Sequence, residues 1–395
     1  MMISIILNEW KILVRNRSIV YVSLVFMLSI ISVVWMGNLQ SKNQSQAQIA
    51  AEKHIRAQWD NLEPMNPHRA AHYGVYVFKP ISILNSLDDG VSSITGNVLK
   101  LEGHVQNEIV HSEASQSIAI SRFGKLKPST ILQYMVPLFL IFLSFGSISN
   151  DKETGRLKLI ALQGVSLEKL VLSKSLSIWL YGLILLIFSI LLQLLLGSSS
   201  ADFGTRIGFI LISYGLYYFI VVCLSTYMSA SFKNNTSAIS LLLSTWILWT
   251  IFLPRTIGSF TEKLSPLATR FELNEKMNED RSKGIDGHNP FDERKELLKD
   301  ETLVKYNVDS VSQLPINFAG ILMQADEEYG NKVWDKHYGE LFKNLELQKR
   351  RYQLSGLINP FASLQSLSMG SAGTDLFHHL EFLYQAEQYL SLIHI

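Results

Sequence analysis

The sequence predicts an all-α polytopic membrane protein: five spans, a sixth missing at the C-terminus, and a helix-rich exterior domain formed from two insertions. Two observations predict it. Five stretches carry no Asp, Glu, Lys or Arg: Ser18–Ser41, Pro128–Asn150, Ser175–Ala201, Ile207–Phe232 and Asn234–Pro254. Each reaches the ~20 residues that cross ~30 Å of hydrocarbon. A charge at the centre of such a helix is disfavoured by ~2.5–3.5 kcal/mol, so runs this clean are not chance surface. The second observation is sorted charge. The chain is net +1, yet 1–17, 151–174 and 233 hold nine basic residues against four acidic, while 255–395 holds 16 against 21. Basic residues in short loops set orientation, which places the N-terminus in the cytoplasm.

The boundaries follow in chain order: a surface helix at 1–17, spans at 18–37, 129–149, 175–197, 207–230 and 235–254, a cytoplasmic loop at 150–174, and exterior insertions at 38–128 and 255–395. In the first seventeen residues Ile3, Ile6, Leu7, Trp10, Leu13 and Val14 recur at helical spacing, with Glu9, Lys11 and Arg15 on the other side. This predicts a helix lying on membrane lipid, anchored inside by Arg15 and Arg17. The first span is followed by four more and lacks a small-residue cleavage pattern, so it stays as an anchor.

In the first insertion, Gln44–Leu62 is alanine-rich and helical in pattern. Residues 66–80 alternate aromatic and β-branched residues through Tyr73, Val75 and Val77, which predicts loop running into strand, ended by Pro80. Asp88-Asp89-Gly90 is turn chemistry, and Gly96–Gln116 reads as a helix. Pro137 sits inside span two, where a proline is tolerated if neighbours satisfy the freed carbonyl. Span four carries Gly208 and Gly215, small residues that allow close helix approach. In the second insertion, Leu267–Lys305 and Glu327–Gln353 are charged and helical, Leu314–Gly320 is an apolar insert with loop formers, and Phe361–Glu387 is apolar enough to pack. Cys223 is the only cysteine, so no disulfide forms within one chain.

The spans contain no Asp, Glu, Lys, Arg or His, which leaves ion-coupled transport without residues to work through. No GxxxxGK[ST] loop occurs, so the chain has no phosphate cradle of that kind. A transporter built this way needs an external motor. The loop Asp151-Lys152-Glu153-Thr154-Gly155-Arg156-Leu157 is the natural place for one to push. Glu153 and Arg156, one turn apart, can pair with each other or with a partner, and Gly155 lets the chain turn.

Four other classes find less support. Histidines cluster outside the spans, at His68/His72 and at His378-His379 beside Asp375 and Glu381, which invites a metal-handling protein. No HExxH and no nearby cysteine supports it. A membrane-anchored hydrolase lacks a GxSxG elbow. An exterior scaffold with no transport activity would need only one or two spans. Nucleic-acid binding has no basic patch to rest on.

Taken together the residues resemble the ABC-2 type transporter permeases, in a bacterial branch with large exterior insertions between spans one and two and between five and six. Glu9-Trp10-Lys11 with Arg15-Asn16-Arg17 looks like the family's N-terminal surface helix. The 151–157 loop is similar to its acidic, glycine, leucine signature. The exterior motifs are Asn66-Pro67-His68-Arg69-Ala70-Ala71-His72-Tyr73-Gly74, Leu101-Glu102-Gly103-His104, Leu314-Pro315-Ile316-Asn317-Phe318-Ala319-Gly320, and Gly373-Thr374-Asp375 with His378 and His379. The family's sixth span has no counterpart, and the ending reads as a truncation. The resemblance implies a permease of the inner membrane, usually exporting, paired with a separate ATP-binding cassette ATPase subunit and a second permease copy or sister permease. It implies no cofactor.

Overall fold

The computed structural model describes residues 2–393 except Asn66, Ile83, 103–111, 197–201, Lys233, Asp286 and His288. Three predicted motif residues, Asn66, Gly103 and His104, therefore lie outside the described residues. The chain divides into two units, Met1–Arg255 with Ser355–Ile395, and Thr256–Leu354.

In the first unit, α1 (Met2–Arg15) stops at Asn16, whose extended backbone (φ −80°, ψ 104°) starts a new helix. The Asn16 side-chain oxygen accepts from the Ser18 and Ile19 amides at 3.1 and 3.4 Å, satisfying two donors that a helix start leaves open. The surface helix and span one are thus separate elements. Span one is the start of α2 (Arg17–Asp60), a single helix of 44 residues. At 1.5 Å per residue it is about 66 Å long, twice the hydrocarbon thickness. The helix predicted over Gln44–Leu62 is its continuation.

The first insertion differs from its sequence reading in two places. Residues predicted as loop form α3 (Pro67–Tyr73), with proline at its first position. The helix predicted over Gly96–Gln116 is replaced at its start by β2 (Val98–Leu101), which pairs antiparallel with β1 (Val75–Phe78). The alternation that betrays β2 is short: Leu99 and Leu101 are buried against Ala386, while Val98 faces out. Tertiary burial overrode a weak helical pattern. Gly74, at φ +76°, makes the turn into β1, and a Cβ there would lie 2.7 Å from the Leu101 carbonyl oxygen.

Four further helices are long and apolar enough to cross a membrane: α4 (Pro128–Glu153, irregular), α6 (Leu167–Leu196), α7 (Phe203–Ser231) and α8 (Asn235–Leu264). A short helix α5 (Arg156–Leu162) lies between α4 and α6. The core joins Val34, Leu132, Leu140, Leu186, Tyr214 and Val222 from four of the spans. Of the two glycines expected to allow close approach, Gly215 does so, a Cβ there lying 3.3 Å from Leu183 Cδ2, and Gly182 makes a tighter approach still. A Cβ on Gly182 would meet Leu140 Cδ1 at 2.9 Å and Tyr218 Cδ2 at 3.2 Å, whereas Gly208 has nothing within 4 Å.

Two prolines break regular hydrogen bonding, and the breaks are repaired from outside the helix. Before Pro137 and before Pro254 the helix widens to a π turn, at Ile131–Met135 and Leu248–Phe252. The Val136 amide then bonds Ile131 O, and the Leu253 amide bonds Leu248 O. This leaves the carbonyls of Leu132 and Trp249 without their usual partners. Tyr218 donates its hydroxyl to Leu132 O at 2.8 Å, and Asn359 donates its amide to Trp249 O at 2.9 Å.

Asn359 belongs to the second insertion, which does not stay in one piece. Its last part returns to the first unit as α12 (Pro360–Ala372) and α13 (Leu376–Ile393). Helix α12 packs among the spans through Phe361, Leu364 and Ala372. Asn359 caps it by accepting from the Phe361 amide at 3.2 Å.

The second unit contains α9 (Arg270–Lys283), α10 (Phe291–Tyr306) and α11 (Phe318–Leu354). Leu273, Trp334 and Tyr338 form its core, with the last two rings stacked at 4.6 Å. The Leu314–Gly320 motif is the approach to α11: the Asn317 side chain accepts from the Ala319 amide at 3.1 Å and its carbonyl accepts from Gly320 N, while Pro315 lies just outside.

Gly37 of α2 faces the Ser86 carbonyl so closely that an added Cβ would overlap it. Gly37→Ala is expected to cost about 1–3 kcal/mol by forcing that contact apart. Gly208→Ala, in open space, is expected to be neutral or to gain up to about 1 kcal/mol. Thermal melting of the detergent-purified protein distinguishes the two.

Candidate functional site

Two clusters of charged and polar side chains sit at opposite ends of the spans. The first is built on the loop predicted to meet a motor. Here α4 ends in the turn Ser149–Glu153. Ser229 of α7 accepts from the Ile148 and Ser149 amides at 3.0 and 3.1 Å, which fixes that turn to the bundle. Lys152 donates to the Ala230 carbonyl. Asp151 is buried and pairs with Lys174 at 3.0 Å and Arg156 at 3.1 Å. Lys174, only 5% exposed, also meets Glu9 at 2.9 Å and the Ser147 carbonyl at 2.9 Å.

The expected Glu153–Arg156 pair does not form. Arg156 turns to Asp151 and the Thr154 hydroxyl, and Glu153 lies 3.5 Å from the Asn235 amide nitrogen. Asp151 and Lys152 are therefore fastenings of the loop. What protrudes is α5, none of whose residues is buried. Leu157 is half-buried, while Leu159 and Leu162 are 61% and 84% exposed. Gly155 (φ +73°) and Gly164 (φ +83°) flank this helix in a conformation that favours glycine. From α1, Glu9 joins through its ion pair and Trp10 through a ring contact with Tyr181 at 6.1 Å between centroids. Arg15 and Arg17 are exposed.

The second cluster was not anticipated. The turn Leu84–Gly90 plugs the opposite end of the spans, burying Leu84 and Leu87 in the apolar core. The Ser129 amide bonds Leu87 O at 3.0 Å, and the Val91 amide bonds Thr374 O at 2.9 Å. This carries Asp88 into the bundle. One carboxylate oxygen accepts from the Gly90 amide at 3.1 Å; the other meets the Ser368 hydroxyl and, at 3.4 Å, the Gln133 amide. Tyr214 completes the set, 2.9 Å from Gln133 Nε2 and 2.8 Å from Ser368 Oγ. One carboxyl group thus joins the first insertion, α4, α7 and α12. Burial pushes the Asp88 pKa up, against the lowering effect of its hydrogen bonds.

The remaining predicted motif residues stand apart from both. His72 lies in α3, and Glu102 pairs with Lys100 after β2. Pro67 and His68 also fall in α3. Asp375 accepts from His378 Nδ1 at 2.6 Å and from its amide at 3.1 Å, ordering the start of α13. His379 is buried, its pKa pushed down to about 4 by burial and by Lys79. Among the described residues no three His, Cys, Asp or Glu side chains come together as a metal site.

One signal pointed to the second cluster. Residues 352–374 carry no Asp, Glu, Lys or Arg, a charge gap as long as a span. Its serines and glutamines dilute the hydropathy, so it does not read as a span.

Five helices of spanning length around one apolar core, with polar groups gathered at the two ends, define a multi-pass membrane protein. The family comparison is more specific: the model described as "ABC-2 family transporter protein" matches residues 68–271, more than half of the chain. The chain belongs to that family. A second model, a domain of unknown function (DUF3526), matches residues 270–393. No curated protein matches the chain.

Lys174→Met leaves Asp151 and Glu9 without their shared cation, and loss of one partner of such a buried pair is expected to cost about 3–5 kcal/mol. Melting temperature beside that of the exposed Lys158→Met control measures it. For Asp88 the folded pKa lies above its ordinary 3.8, so folding favours the protonated form. Stability is full below that ordinary value and falls as pH rises through the raised one. Asp88→Asn, neutral at all pH, is expected to abolish this slope in melting curves taken across pH 4–8.

Proposed function

We propose that this chain is the permease subunit of an ATP-binding cassette transporter, driven by a separate ATPase that docks on α5. Family membership supports the transporter class, and the exposed helix between two turning glycines supports the docking point. The carrying observation is that Leu159 and Leu162 stand out in solvent while the loop beneath them is fastened by Asp151, Lys152 and Lys174. Exposed leucines on a firmly held base suit a partner that must push without the contact collapsing. A displacement of α5 passes through Arg156 and Asp151 to Lys174, and from there to α6 and, through Glu9, to α1.

In this reading the N-terminus and the 150–174 loop are cytoplasmic, by the excess of basic residues there. The membrane is a bacterial inner membrane, transport is outward, and a second copy or sister permease completes the path. Alternate exposure of that path is a rigid-body rocking of the spans.

Affinity purification of the tagged chain from its own cells is expected to bring down an ATP-hydrolysing subunit. Leu159→Asp with Leu162→Asp is expected to lose it at least about tenfold while the permease still elutes as a single species. Co-purification unchanged by the pair removes α5 as the docking point; a native chain that never retains an ATPase removes the permease reading.

A further inference from the structure

A cleft of about 280 Å³ opens where the first insertion and α12 meet the start of α4. Asp88, Asp89, Lys125, Lys127, Gln133 and Tyr134 are among the residues that line it. Two of these groups are buried with bonding capacity unused. Lys127 is 2% exposed, yet no described residue accepts a hydrogen bond from its ammonium; the nearer carboxylate oxygen of Asp89 is 4.0 Å away. Asp89 is 7% exposed, and its Oδ2 has no donor among the described residues. Its Oδ1 lies 3.8 Å from Lys125, which is itself engaged with Glu113.

These separations exceed hydrogen-bond length, so the charges attract without satisfying one another. Leaving a buried ammonium and a buried carboxylate oxygen each short of a partner is costly. A ligand that brings only an anion serves Lys127 and leaves Asp89 wanting; a lone cation does the reverse. Both needs are met by an ammonium and an acidic oxygen joined by a short link.

We infer that this cleft binds a phosphoethanolamine group, its ammonium donating to Asp89 Oδ2 and its phosphate oxygens accepting from Lys127. Phosphate fits better than carboxylate because two lysines line the cleft. Asp88 does not compete for the ligand's ammonium, since both its carboxyl oxygens are already engaged by the Gly90 amide, Ser368 and Gln133. Lys127 immediately precedes the first residue of α4, so the cleft lies at headgroup level of that span. Ile94 is exposed beside it, and Met369 lines it, offering apolar contact for glycerol and the first chain carbons. The group is therefore available from a lipid or from a free phosphoethanolamine, and the cleft admits either.

The test uses the full chain in neutral detergent and native mass spectrometry with dioleoyl phosphatidylethanolamine, phosphatidylglycerol and phosphatidylcholine as probes. Phosphatidylethanolamine is expected to be retained at least about tenfold better than the other two. Phosphatidylglycerol has no cation, and the trimethylated ammonium of phosphatidylcholine has no N–H to donate to Asp89. Lys127→Met and Asp89→Asn are each expected to reduce the preference at least about fivefold. Displacement of the lipid by free phosphoethanolamine would mark a soluble ligand; its failure to compete would mark the lipid. Equal retention of the three lipids by the unaltered protein overturns the inference without recourse to any variant. A preference that survives both substitutions in folded protein overturns it as well.

Discussion

A chain that crosses hydrocarbon must find a partner for every backbone carbonyl, because no water is there to supply one. Pro137 and Pro254 place that demand at two points of this bundle. Each is preceded by a π turn that moves an amide to a different carbonyl and frees another, on Leu132 and on Trp249. The two repairs determine how the spans are arranged. Tyr218 must face α4 closely enough to reach Leu132 O, which Gly182 permits by holding nothing in the way. Asn359 must reach Trp249 O, which draws the chain after the second unit back among the spans and begins α12 there. The apolar contacts of Phe361 and Leu364 then follow from a position that a hydrogen bond has already set.

The return of α12 in turn makes the acidic turn possible. Asp88 is tolerable in a buried place because Ser368 of α12, Gln133 of α4 and the Gly90 amide surround it. Without α12 the carboxyl would face hydrocarbon with few partners, at a cost of several kcal/mol. At one end of the bundle the Asp88 carboxyl is thus held by uncharged hydroxyl and amide groups, with Asp89, Lys125 and Lys127 beside it. The other end is closed by formal charges, with Lys174 shared between Asp151, Glu9 and the Ser147 carbonyl. The Lys174 group lies beside an exposed loop, where exposed charges such as Arg156 remain hydrated, whereas the Asp88 carboxyl is buried and held by neutral donors.

The spans were legible because the property that defines them, freedom from charge over some twenty residues, is a property of sequence alone. Asn16 and Asn359 are of a residue type that favours helix starts, but the sequence reading did not assign them as caps, and nothing local says that Asn359 also reaches Trp249. The same limit applies to Asp88. Asp-Asp-Gly is turn chemistry wherever it falls, and only the fold says that this turn is buried. Strand β2 was missed because four residues carry too little periodicity to outweigh a helical neighbourhood, and its reason for existing is Ala386, far along the chain. Of the loop residues singled out, Asp151 and Lys152 prove to be fastenings and Arg156 a link. Leu159 and Leu162, which the charge-centred reading passed over, form the exposed face.

The seams between spans decide how that face is coupled to the rest. They are joined by directional bonds as well as by packing: Ser175 to Thr226 at 2.7 Å, Trp179 to the Gly215 carbonyl at 2.8 Å, and Ser149 to Ser229 at 3.2 Å. A hydrogen bond of this kind tolerates tilting better than sliding, because sliding by one turn breaks it and leaves both groups buried and unpaired. Spans so joined resist shear past one another. With α5 as the docking point proposed above, a load applied there favours movement of α4, α6 and α7 as one body over repacking of any single helix, and the polar plug at the far end is tied to that body through Gln133 of α4 and Tyr214 of α7. In that reading the two ends of the bundle are coupled by rigidity, without a chain of charges between them.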